Sequence, residues 1–160
     1  MKRIAIVVAC GIALGIIAIG QTATPAPDHG FYNAAELKWV DGPPSLPPGA
    51  KVAMLEGNPA NEGPFTMRLQ LPDGFSIPPH SHPSVEHVTV ISGTFNLGMG
   101  EKFDKAGGQK LSAGSFAFMS PGMKHFAWAD GETVVQVHGI GPWKINYVNP
   151  ADDPRYKKSN

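Results

Sequence analysis

The chain has 160 residues, with 13 Lys and Arg balancing 13 Asp and Glu, six histidines and one cysteine. That length fits one domain, the even charge leaves no basic patch for nucleic acid, and a lone cysteine excludes a disulfide framework. Nineteen glycines and sixteen prolines, spread through the chain, favour short strands and tight turns over helices.

Residues 1–20 are unlike the rest. Lys2 and Arg3 precede an uncharged apolar run from Ile4 to Ile19, and Ala18 and Gly20 offer a cleavage site before Gln21. This pattern predicts a secretory signal peptide and a periplasmic or secreted protein. An uncleaved anchor is the rival, but the run is short for a full span and holds two glycines. Cleavage removes two cations and Cys10, leaving 11 basic against 13 acidic residues and no thiol. It also leaves no stable membrane association.

Residues 21–50 are rich in Pro and Ala and predict an extended arm, with a short helical turn at Ala34 to Leu37. The rest of the chain to residue 148 predicts a β-barrel. Lys51 to Leu55 predicts a first strand. Phe65 to Leu71 alternates, with Phe65, Met67, Leu69 and Leu71 on one face, so a half-buried strand is expected. Pro72-Asp73-Gly74 predicts a turn. Glu86 to Ser92 is a β-branched strand that Gly93 is expected to end, with Thr94 to Met99 returning as a hairpin. Residues 100–113 form a polar excursion, and Ser115 to Met119 predicts a buried strand. Asp130-Gly131 signals a second hairpin, and Thr133 to Ile140 a last core strand. Asn149 to Asn160 reads as a polar tail.

The chemistry concentrates between Gly74 and Gly93. His80 and His82 are two apart, so on a strand they share a face, and Glu86 keeps that parity if the strand continues. Two imidazoles and a carboxylate suit a first-row divalent ion. His87 has the opposite parity and is expected to point away. Gln136 and His138 share parity on the last strand, against Val135 and Val137. If the polar pair faces inward, both line the pocket, and His138 becomes a candidate for proton transfer beside Glu86. If the valines face inward, both are surface residues. The pattern leans slightly toward the first arrangement. The aromatic residues Phe116, Phe118, Phe126, Trp128 and Trp143 are expected in the core or pocket wall.

Gly74, His80, His82, Glu86 and Gly93 match the first motif of the cupin superfamily, which this chain resembles: Gly, five residues, His-x-His, three or four residues, Glu, six residues, Gly. Gly114, Gly122 and His125 match its second motif, with Ser120 where the motif has Pro and Ala129 where it has Asn. The resemblance covers roughly residues 50–145. It implies an all-β, antiparallel double-stranded β-helix or jelly-roll barrel. It implies a metal held by His80, His82, Glu86 and His125, an ion such as Fe, Mn, Ni, Cu or Zn. In the family such centres serve dioxygenases, oxidases and decarboxylases on small oxygenated molecules, so a small-molecule substrate or ligand is expected. A non-catalytic ligand-binding or sensing cupin is the alternative. Oligomers are common among such proteins, and the arm can add a strand to a neighbour's sheet edge, so a homodimer is a further expectation.

Overall fold

The computed structural model describes residues 29–156. The expected leader, residues 1–20, and the last four residues lie outside that range.

Among the described residues, nine strands, all paired antiparallel, form one sheet folded back on itself. They are β1 (Val40–Asp41), β2 (Lys51–Glu56), β3 (Gly63–Leu71), β4 (Ser76–Ser81), β5 (Glu86–Met99), β6 (Gln109–Ser112), β7 (Phe116–Met119), β8 (His125–Gly141) and β9 (Asn146–Tyr147). The helical turns are short 3-10 segments, the first at Ala34–Glu36 as expected. Among the described residues no helix is long and apolar enough to cross a membrane.

The two long strands, β5 and β8, belong to both layers. In one layer the order is β1, β2, β3, the second half of β8, the first half of β5, then β7. In the other it is β9, β4, the first half of β8, the second half of β5, then β6. Each layer buries one face. Phe65, Met67, Leu69, Leu71, Val88, Val90, Val135 and Val137 line it on one side, and Ile77, Phe95, Leu97, Ala127 and Ala129 on the other. Removing such surface from water is the main force holding the layers together. The cross-over of β5 and β8 is what makes this a jelly-roll barrel rather than a string of hairpins.

Both expected hairpins are therefore corrected. β5 runs through Gly93 and β8 through Gly131 without reversing. Gly93 has φ +77°, and a Cβ there would stand 2.3 Å from the Glu132 carbonyl oxygen. The register shifts just before it, at Val90/Ser92, and across it, at Ser92/Thr94. It is a bulge that bends the strand from one layer into the other, a task open to glycine and closed to residues with a Cβ.

The sheet also begins earlier than the first predicted strand, since Val40–Asp41 pairs with β2 inside the expected arm, and Ala50 is buried. β7 is not a buried strand. It pairs only with β5, and Phe116 and Phe118 are 54% and 62% exposed on its outer face. Phe126 and Trp128 are buried as expected.

Candidate metal centre

Four elements deliver the polar residues inside the barrel. His80 is the last residue but one of β4, and His82 follows just beyond the strand. The strand does not continue to Glu86. The chain bends through Pro83 and Ser84, and Glu86 opens β5 instead. Its inward direction comes from sharing parity with the buried Val88 and Val90. His125 opens β8 directly after a tight turn, in which the Met123 N–H donates to the Ser120 carbonyl at 3.1 Å. Pro121 and Gly122 are the central residues, and Gly122 has φ +77°, the arrangement of a type II turn. Ser120 is the first residue of that turn, where proline is not required. The Gly122 N–H also donates to the His82 carbonyl at 2.8 Å, tying the turn to the other motif.

His80, His82, Glu86 and His125 are all at most 7% exposed. One ring nitrogen from each of the three histidines lies within 4.8 Å of the others. Glu86 stands outside that mutual set but beside two of its members. Its Oε2 is 3.1 Å from His125 Nε2 and 3.5 Å from His82 Nε2.

The backbone fixes the state of the rings. Nδ1 of His80 donates to the Pro78 carbonyl at 2.8 Å, that of His82 to the Lys144 carbonyl at 2.8 Å, and that of His125 to the Met123 carbonyl at 3.0 Å. A carbonyl only accepts, so Nδ1 of each ring carries a proton and Nε2 is left as the nitrogen that can bind an ion. Burial, then the neighbouring His125 and His82, pushes His80 down to about 3, so it is neutral near pH 7. Burial alone would raise the Glu86 carboxyl, but His125 and His82 outweigh it and hold the group below the usual carboxylate range.

This donor set fits a divalent transition ion. Nε2 of His82 and of His125 are buried without a hydrogen-bond partner. Ring nitrogens this close to a carboxylate oxygen call for a cation shared with it, a proton or a metal ion. Neutral imidazoles whose far nitrogens are tied to carbonyls are what a metal requires of its histidines.

His82 is held on its face as well. Trp143 stacks on it with ring centres 4.0 Å apart and planes 13° apart, and its indole Nε1 is buried without a partner. The segment after β8 thus supplies both the Lys144 carbonyl and the indole, and β9 pairs Tyr147 with His80. The sequence reading missed these supports. Backbone carbonyls have no residue signature, and a tryptophan 61 residues beyond His82 carries no local sign of the contact.

His138 is not at this centre. The valines take the barrel face, at 1% and 2% exposed, so Gln136 and His138 lie on the outer face of β8. Two β-branched apolar side chains gain more from burial than an amide and an imidazole, and that decides the parity. His138 stacks instead on His87, its cross-strand neighbour, which points outward as expected. Burial, then His87, lowers its pKa.

The barrel and its inward His and Glu cluster define a cupin. The chain belongs to the family described as the ChrR cupin-like domain, which matches residues 28–144. No curated protein matches it. Solved structures share the fold. An acetylacetone dioxygenase from Acinetobacter johnsonii is 18% identical with a TM-score of 0.59, over 86% of this chain and 88% of that one. The polyketide cyclase RemF from Streptomyces resistomycificus is 17% identical with a TM-score of 0.61, over 79% and 90%. An RmlC-like cupin from Shewanella frigidimarina is 17% identical with a TM-score of 0.56, over 72% and 92%. At such identities the likeness speaks for the fold alone.

Proposed function

We propose that this chain is an exported metal-binding cupin whose centre acts on a small oxygenated organic molecule, as a metal-dependent oxidoreductase of the dioxygenase kind. The observation that carries the reading is the convergence of three imidazoles, each with Nδ1 tied to a carbonyl, around the Glu86 carboxylate. The fold it shares with an acetylacetone dioxygenase is consistent with it.

His80, His82, His125 and Glu86 would hold the ion. A divalent transition metal there would supply Lewis-acid or one-electron chemistry to an oxygen-bearing ligand. The chain's own part is to keep His80 neutral, aim the three imidazoles inward, exclude water with the packed barrel wall, and offer Glu86 as the proton acceptor. Its carboxylate is ionised and lies within the cluster, so it can take a proton from a ligand bound beside it.

A second reading has its own support. With His138 on the outer face and the Tyr147 hydroxyl donating to the Ser45 carbonyl at 2.8 Å, Glu86 is left as the acid–base group of the centre. A non-catalytic cupin that uses its metal to hold a ligand needs no more. Metal content of chelator-free protein, then O₂ consumption with Fe or Mn across phenols, diketones and dicarboxylates, separates the two. Turnover supports the oxidoreductase. About one equivalent of metal with no turnover on any substrate or metal supports the ligand holder. No metal, and none taken up on reconstitution, defeats both.

A further inference from the structure

The outer face of the larger layer carries a second arrangement that the metal centre does not use. The register places Glu56, Thr66, His138, His87 and Phe118 side by side on successive strands, each opposite the next. Their side chains share one face. Three rings stack in sequence across it. Phe116 lies on His87 with centres 5.9 Å apart and planes 20° apart, and His87 on His138 at 4.8 Å and 10°. The next position in the row is Thr66, which has no ring. Above it is a cavity of about 360 Å³, lined by Glu56, Pro64, Thr66, His87, His138 and Ile140 among others. The stack of flat rings therefore ends on an open space.

We propose that this cavity binds a planar aromatic cation, its ring continuing the stack on the free side of His138 and its charged nitrogen directed at the Glu56 carboxylate. The walls supply Pro64 and Ile140, apolar surface suited to the ring edge. The charge is one-sided. Glu56 lines this cavity and the adjoining one, Glu62 lines the second, and neither is lined by Lys or Arg. The nearest cation on the face, Arg68, is one row away and donates to Gln136 Oε1 at 3.2 Å. Glu56 accepts from the Thr66 hydroxyl at 3.2 Å through Oε2, which leaves Oε1 for a ligand. Nδ1 of both His87 and His138 is buried without a partner, so the pair has no polar tie within the protein that would be lost when a ring packs against it. Ring stacking of this kind adds to what area burial alone provides.

The test is a titration of the metal-loaded protein with benzamidine, a planar aromatic cation, followed by amide and histidine ring shifts in NMR spectra. Benzoate supplies a planar anion and cyclohexanecarboxamidine a non-planar cation for comparison. Benzamidine is expected to shift Thr66, Glu56 and the His138 ring, saturably, and to bind more tightly than either control. His138→Ala is expected to weaken it by about fivefold, and Glu56→Gln to weaken benzamidine while leaving benzoate unchanged. Both variants should keep the metal content of the parent, so folding is checked independently. Equal binding of benzoate, shifts that map elsewhere, or no effect of either substitution would overturn the proposal. So would shifts at these residues that depend on protein concentration alone, since they would mean that a second copy covers the face.

Discussion

The imidazole of His82 lies flat against the indole of Trp143, ring centres 4.0 Å apart, while its Nδ1 donates to the carbonyl of the very next residue, Lys144. One short segment after β8 thus fixes both the plane of the His82 ring and the proton on its Nδ1. Orienting groups of this kind tune metal affinity almost as strongly as the ligands do.

Trp143→Ala should lower metal affinity by about tenfold, while Trp143→Phe, which keeps a flat ring, should stay within a few-fold of the parent. Competition with a chelator measures both. An unchanged affinity in the alanine variant would show that the stack is packing alone. Binding of Cu(II) or Co(II) should also quench fluorescence from this indole, and the quench should vanish in the phenylalanine variant.

Glu86→Gln should weaken both the metal-free fold and metal binding. In the parent the carboxylate oxygen stands 3.1 Å from His125 Nε2 and 3.5 Å from His82 Nε2, and these two rings favour its charged form. The neutral amide forgoes that interaction, so the metal-free variant should be less stable than the metal-free parent, by about 1 kcal/mol. Its metal affinity should drop by at least about tenfold, because the anionic donor is gone. Urea denaturation of the two apo proteins, with metal titrations alongside, tests the pair. A variant that kept both the stability and the metal affinity of the parent would contradict this role.

Acid should destabilise the metal-free protein from mildly acidic pH downward. His80 falls from its ordinary 6.5 to about 3 in the folded chain, so between those values the unfolded chain binds a proton that the folded one refuses. Its contribution is intact above 6.5 and is lost progressively as pH falls toward 3. Glu86 is also held below its ordinary value of 4.5, and its contribution is likewise present above that value and lost on further acidification. Urea midpoints should be flat from pH 7 to 8 and fall steadily below 6.5. A midpoint that rose on acidification would refute this.

Gly93→Ala should be severely destabilising. The site needs φ +77°, and the new methyl would stand 2.3 Å from the Glu132 carbonyl oxygen and 2.8 Å from Thr133 Cα. Both neighbours are backbone and cannot step aside cheaply. A loss of about 2 kcal/mol or more is expected from thermal or urea unfolding. A neutral outcome would mean that β5 does not pass through this bend.

The sequence by itself determined the donors and most of the alternation. The spacing from Gly74 through Glu86 to Gly93, with His125 after Pro121-Gly122, carried the resemblance that implied His80, His82, Glu86 and His125, and all four are buried. The period of two in Phe65 to Leu71 gave the buried face of β3 residue by residue. These are local signals, carried by covalent geometry and side-chain period. Only the tertiary structure decided whether Gly93 and Gly131 were hairpin turns or bends. A glycine with positive φ looks the same in either, and the difference lies in which distant strand each half pairs with. Only packing decided that Val135 and Val137, not Gln136 and His138, face the core, because an alternating strand offers two faces and burial free energy selects one. The carbonyls of Pro78, Lys144 and Met123 that set the tautomers, and the indole on His82, exist as a site only once chain segments up to 62 residues apart are brought together.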